Sequence, residues 1–299
     1  MAKKGKAAKR PTVFTIKVYG EGLTEWHYFD KIRTLEKFVF TLEPGMPENS
    51  RSSYKKRLLQ ISKELKRPPQ ERASMIILVT DLDNIVSSPS ELRAYLDAKA
   101  KYEAEGVIFI ESHPSIELWF LYHFRKKYEK TAYPSYDAIK SDLRAHLPGY
   151  DKAGKYYSSN TTFRDCIVNS YGNRKQAAAC AYSSCGYEPV EGEVCNSTNL
   201  HKLIIFLHML QFTYTLSDLL RAKVPLKFSL QLKVSGLDKI EASVLGNHLF
   251  MIAAEKDKFI WHCPNGSMEI PLGFRYDNCD EDCKKMVEDT ANLIKSFLE

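Results

Sequence analysis

The sequence has no long apolar run. Its longest strongly apolar stretch, residues 116–124, stops well short of the roughly 20 residues that cross a bilayer, so no membrane association is expected. The amino terminus has neither an apolar signal core nor a small-residue cleavage site, and no targeting leader is expected. Glycine (14) and proline (13) are too sparse among 299 residues for a collagen-like or low-complexity chain. There is no Walker A motif, and Gly20-x-Gly22 is too short for a dinucleotide fingerprint. The chain is therefore not expected to hydrolyse ATP itself. Its seven cysteines form no Cys-x-x-Cys pair, which speaks against structural zinc. Their odd number and irregular spacing fit reduced thiols in a cytoplasm.

What is present is the composition of an ordinary globule, 44% hydrophobic, 27% charged and 12% aromatic. That suits one large α/β domain with an appendage, or two modest domains. The net charge is +6, but Lys3, Lys4, Lys6, Lys9 and Arg10 hold five of those charges with no acid among them. A disordered basic arm is expected over 1–10, serving either phosphate contact or solubility. A second basic stretch, 51–72, carries eight basic residues against Glu64 and Glu71. Leu58, Leu59, Ser62 and Leu65 give it an apolar helical face, which predicts a helix over 51–66 whose other face is positive. Nucleic acid is expected to run along Lys55, Lys56, Arg57 and Lys63. A solvated face without a ligand is the competing reading.

Strands and helices alternate through the first half. TVFTIKVY (12–19) and MIILVT (75–80) are β-branched, apolar runs of the kind buried on both faces of a parallel sheet. Apolar residues at Leu23, Trp26, Phe29 and Ile32 predict a first helix, a Ser-Pro-Ser start introduces another over 90–104, and 107–110 is a third strand. IELWFLYHF (116–124) is apolar nearly all round and should lie at the centre of the fold. The expected architecture is α/β, a mostly parallel sheet flanked by helices over 11–224. Short alternating runs after Pro225 predict a small β-rich module over 225–299 ending in an acidic helix, 280–298.

Open parallel sheets place their sites beyond the carboxyl ends of the strands. Two of those ends carry acids: Glu21 and Glu25 after the first strand, Asp81 and Asp83 after the second. In extended chain the two aspartates would project to the same side. If the two strands are neighbours, four carboxylates converge, repel and raise one another's pKa values. Mg²⁺ or Mn²⁺, which takes oxygen ligands, would resolve that repulsion. Taken singly, an acid at a helix start is ordinary dipole complementarity and Asp-x-Asp is ordinary turn chemistry.

The order EG-x-x-E then D-x-D resembles the Toprim domain, and more closely the RloB-like proteins of bacterial defence islands. The matching motifs are VYGEGLTEWHYF (18–29), ILVTDLDN (77–84), HPSIELWFLYHF (113–124) and CNSTNLHKL (195–203). His113 stands where that family has Asn, and Asn196-Ser197 replaces its Asn-Pro pair. The resemblance spans roughly 10–212. It implies a Toprim-like sheet and a Mg²⁺-dependent nuclease acting in anti-phage defence by abortive infection, beside a partner ATPase.

By that likeness Glu21 would be a metal ligand or general acid–base, Asp81 and Asp83 would hold Mg²⁺, and Glu25 would complete a second metal position. Glu117 is a further catalytic candidate, or else one end of an internal salt bridge. His113 would touch a phosphate, or cap and pack. Lys155, and Arg174 or Lys175, would supply positive charge to the transition state, and Tyr150, Tyr156 and Tyr157 would stack on bases, with solvated surface charge as the competing account. The substrate class is nucleic acid, with RNA such as tRNA expected ahead of DNA by analogy. A homo-oligomer is a further expectation. The competing class is a non-catalytic Toprim-like module that docks on or regulates an ATPase.

Overall fold

The computed structural model describes residues 14–46, 53–186, 196–276 and 279–298. The basic arm over 1–10, Arg51 and Cys195 lie outside them. A five-stranded sheet forms the first half: β1 (Ile16–Tyr19), β2 (Thr41–Glu43), β3 (Met75–Asp81), β4 (Val107–His113) and the two-residue β5 (Ser197–Thr198). Their order is β2-β1-β3-β4-β5, parallel throughout except for β5. The expected mostly parallel, helix-flanked sheet is therefore present, and its first and third strands are neighbours.

Period-two alternation divides the sheet's side chains between two cores. From β3, Ile77 and Val79 enter one core, with α1 (Leu23–Glu36) and the central helix. Ile76 and Leu78 enter the other, under α2 (Tyr54–Leu65) and over Tyr95. A short α3 (Asp83–Val86) leads into α4 (Pro89–Ala104), which Ser88 caps by accepting from the Glu91 amide with Pro89 in the first turn. Helix α5 (Glu117–Tyr122) is buried at every position, its apolar residues 118–122 following a buried Glu117. Then come α6 (Tyr136–His146), α7 (Gly154–Ser159), α8 (Thr161–Phe163) running on into a π-helical turn, Arg164–Val168, and α9 (Tyr171–Cys185).

Contrary to the expectation of no long apolar run, helix α10 (Leu200–Lys223) is long and apolar enough to cross a membrane by length and composition. Most of it is buried instead, because it packs between the parallel sheet and a second one. That second sheet is the predicted β-rich part, an antiparallel meander of β6 (Gln231–Ser235), β7 (Lys239–Val244), β8 (Asn247–Ala254), β9 (Lys258–Cys263) and β10 (Gly266–Pro271). Helix α11 (Glu281–Leu298) closes over it, burying Val287, Ala291 and Ile294. Phe212 of α10 meets Phe259, Trp261 and Phe274, so one apolar core runs through both sheets. Cys279 and Cys283, expected as free thiols, are joined as a disulfide at the start of α11.

Candidate active site

The register of the parallel strands builds a step. Tyr19, the last residue of β1, lies level with Leu78, while β3 continues for Val79, Thr80 and Asp81. The turn Gly20-Glu21-Gly22 therefore lies beside the end of β3. Arg57 holds it there: its Nε donates to the Gly20 carbonyl at 2.6 Å and a terminal nitrogen donates to the Glu21 carbonyl at 3.1 Å. The Glu21 carboxylate accepts from the Thr80 hydroxyl. Glu25 reaches back to accept from the Gly22 amide at 2.9 Å, closing the first turn of α1. Gly20 permits that approach, since a Cβ there would stand 3.1 Å from Glu25 Cβ.

Asp81 ends β3 and accepts from the Ile116 amide at 2.8 Å, which ties it to the start of α5. Asp83 does not share an extended segment with it, as the spacing had suggested. Leu82 takes helical angles and Asp83 opens α3, turned onto Asn84, whose backbone and side-chain nitrogens donate to it at 2.6 and 2.8 Å. Glu117 is completely buried and accepts from Tyr150 at 2.8 Å. The Tyr150 hydroxyl lies 2.9 Å from that of Tyr157, which lies 3.0 Å from the Thr24 hydroxyl. Lys152, on the loop between α6 and α7, places its ammonium 3.2 Å from Glu117 and 3.9 Å from Asp81. The same ammonium sits 4.1 Å above the Tyr136 ring.

The electrostatics follow from this crowding. Burial first, then Glu25 and Asp83, push the Glu21 carboxyl up to about 8 against the pull of Thr80 and Arg57. Burial and the neighbouring carboxylates also raise Glu25 and hold Asp81 well above its ordinary value. Burial alone would lower Lys152, but Glu117, Asp81 and Glu25 outweigh it and raise its pKa. The carboxylates are thus close enough to oppose each other's ionisation.

They are not a finished chelate. Among the described residues no three His, Cys, Asp or Glu side chains are gathered as metal ligands. The donors are nevertheless all hard oxygens, and Mg²⁺ keeps several waters and needs only one or two protein carboxylates. The residues fit such an ion in chemistry, with Asp81 and Glu21 foremost.

The basic candidates separate. Arg174 is wholly buried, ion-paired with Glu36 at 2.8 Å and donating to the Val168 carbonyl; it is a core residue, not a substrate contact. Lys175 faces Asp257 of the second sheet at 3.8 Å. Lys155 is exposed on α7. On α2 the predicted faces are rotated: Leu59 is 66% exposed, whereas Arg57 is buried. Lys55 pairs with Glu91 at 2.8 Å and Lys56 is exposed near the Arg57 end. Lys63 stands beside Glu64, which binds Lys17 and the Ala73 amide at the opposite end of the strands from Glu21. His113 ends β4 opposite Ser197. Tyr150 and Tyr157 are buried in the hydroxyl chain and offer no stacking face, while Tyr156 is partly exposed.

Two contributors, Lys152 and Thr80, escaped sequence reasoning, and Arg57, expected to meet nucleic acid, is instead buried and bound to the Gly20 and Glu21 carbonyls. Thr80 immediately precedes Asp81, and a hydroxyl at the end of a buried strand was the available signal. Two hollows of about 330 and 380 Å³ lie elsewhere and include none of the predicted site residues.

A parallel α/β sheet with acids gathered at adjacent strand ends defines the class of fold and site. A family model described as RloB-like protein matches residues 16–207, and the chain belongs to that family. No curated protein and no solved structure shows a significant match.

Proposed function

We propose that this chain is a divalent-metal-dependent phosphodiesterase, a nuclease of the Toprim kind acting on RNA such as tRNA ahead of DNA. The observation that carries the reading is the set Glu21, Glu25, Asp81 and Glu117, held at neighbouring strand and helix ends with pKa values of three of them raised. A fold keeps such a repulsive group where a cation or a proton-transfer step uses it. Bound there, Mg²⁺ or Mn²⁺ would activate water and neutralise charge on the phosphate. The chain's own part is to hold Asp81 through the Ile116 amide, to fix Glu21 through Thr80 and Arg57, and to orient Glu117 through Tyr150. Glu21, with its pKa pushed up to about 8, is suited to take or give a proton near neutral pH.

The reading extends to a role in anti-phage defence in the cytoplasm beside a partner ATPase, which rests on the family likeness. The test is an assay of the purified chain on total RNA, plasmid and single-stranded DNA with Mg²⁺ or Mn²⁺. Asp81→Ala and Glu21→Ala should each lower cleavage by at least about a hundredfold while leaving the fold intact or steadier. Cleavage near the wild-type rate by either variant would sink the site assignment.

One observation favours a second reading, a non-catalytic module that docks on an ATPase: Lys152 already neutralises part of the acid group. Metal binding separates the two. A thermal shift with Mn²⁺ that vanishes in Asp81→Ala belongs to the enzyme.

A further inference from the structure

Lys152 is the one cation that the structure brings within ion-pair distance of Asp81 and Glu117 among the described residues. It arrives on a loop anchored on both sides by buried residues, Leu147 and Tyr150 before it and Tyr157 after it. Its side chain is 36% exposed, so part of it borders water. It also has a second attachment, the face of the Tyr136 ring, 4.1 Å from the nitrogen. A cation that rests on an aromatic face and is partly hydrated can leave a carboxylate without becoming unpartnered.

We infer that Lys152 is an exchangeable internal counter-ion: its ammonium holds Asp81 and Glu117 together in the metal-free chain and is displaced from them when a divalent cation binds. The inference rests on the proposed metal-dependent reading and adds a competitor to it. Asp81 and Glu117 cannot both serve the ammonium at full strength and donate to a doubly charged ion beside it, because the two cations repel each other. Released from the carboxylates but kept on the Tyr136 face, the ammonium would stay beside Asp81, where an anionic phosphodiester would meet it. Lys152 is thus a positioning residue in the free chain and a phosphate-facing charge in the loaded one.

The experiment is Mn²⁺ titration by calorimetry, with metal-free melting in chelator, on the full chain and on Lys152→Met, Lys152→Gln and Lys152→Arg. Either neutral variant that keeps the wild-type circular dichroism decides. It should melt lower than wild type without metal, since buried carboxylates lose their partner, and should bind Mn²⁺ roughly tenfold more tightly. Lys152→Arg should resemble wild type in both. If wild type binds Mn²⁺ and the neutral variants bind it no better, Lys152 is not displaced and the inference fails alone. If wild type binds no Mn²⁺ or Mg²⁺, the metal-dependent reading fails and takes this inference with it.

Discussion

Glu21 and Arg174 show how differently two buried charges act in one fold. Loss of hydration first, then the like charges of Glu25 and Asp83, push the Glu21 carboxyl from 4.5 up to about 8. Between those two pH values the folded chain keeps a proton that the unfolded chain has released. Metal-free stability is therefore greatest at and below about pH 4.5 on this account and declines as pH rises through 8. The loss is on the order of a few kcal/mol. Glu25 and Asp81 are shifted the same way and add to the slope. Urea unfolding from pH 5 to 8 checks this: Glu21→Gln should flatten the decline, and Mg²⁺ should reduce it in wild type. A slope unchanged by the substitution would contradict the crowding account.

Arg174 is the opposite case, a buried charge matched by Glu36. Removing one partner of a buried pair leaves the other uncompensated, so Arg174→Ala should cost about 3–5 kcal/mol. Chemical denaturation of the folded fraction measures this, and a stable variant that merely loses substrate affinity would restore Arg174 to the surface role expected from the sequence.

At the level of elements, α2 leads from β2 into β3, the second acid-bearing strand, and runs antiparallel to it and to β1. Its first turns lie by Gly20 and Glu21, and Glu64 near its end lies by Lys17 and Ala73. Twelve residues of helix at about 1.5 Å each separate those ends. If nucleic acid enters here, Lys55→Glu with Lys56→Glu should weaken binding to every substrate and flatten its salt dependence. Lys63→Glu alone should change neither. Fluorescence anisotropy at several salt concentrations distinguishes them, and equal effects at all three positions would show that the field of the whole helix matters rather than its start.

The same helix marks where sequence reading succeeds and stops. Residues 75–79 of β3 and 118–122 of the wholly buried α5 are legible because they form unbroken apolar runs, and a β-branched run ending in an acid announces a strand terminus. The face of α2 is not legible, because Arg57 and Glu64 are buried for polar reasons and Leu59 is left outside. Burial there is decided by carbonyls and ions on other elements, which periodicity does not record. Lys152 is invisible for the same cause. Nothing within GYDKAGKYY separates it from Lys155; only the fold brings this loop residue to Glu117 of α5. Arg174 and Lys175 are adjacent and basic, yet one is in the core and the other at the second sheet.

Across the whole molecule, α10 is the member that both sheets share. Phe212 packs on rings of the second sheet, and residues such as Leu203 and Leu207 belong to the same continuous core. Truncation after Val224 would uncover that apolar face, so the shortened chain should melt at least several degrees lower or aggregate, an outcome followed by light scattering during a thermal ramp. A truncated chain as stable as the full one would establish instead that the β-rich part is a detachable module. Such a module would be free to serve a partner or a second copy.

The position of α10 also bears on how the chain can be rearranged between genes. The family match ends at 207, but the helix continues to Lys223. A recombination breakpoint at the edge of the match would divide a buried helix and separate Leu207 from Phe212. The first place where a junction leaves α10 undivided is the exposed joint at 225–227, between α10 and β6. A chimera that replaces the carboxyl-terminal sheet should therefore be joined there, and the incoming sheet must bring rings that fit Phe212.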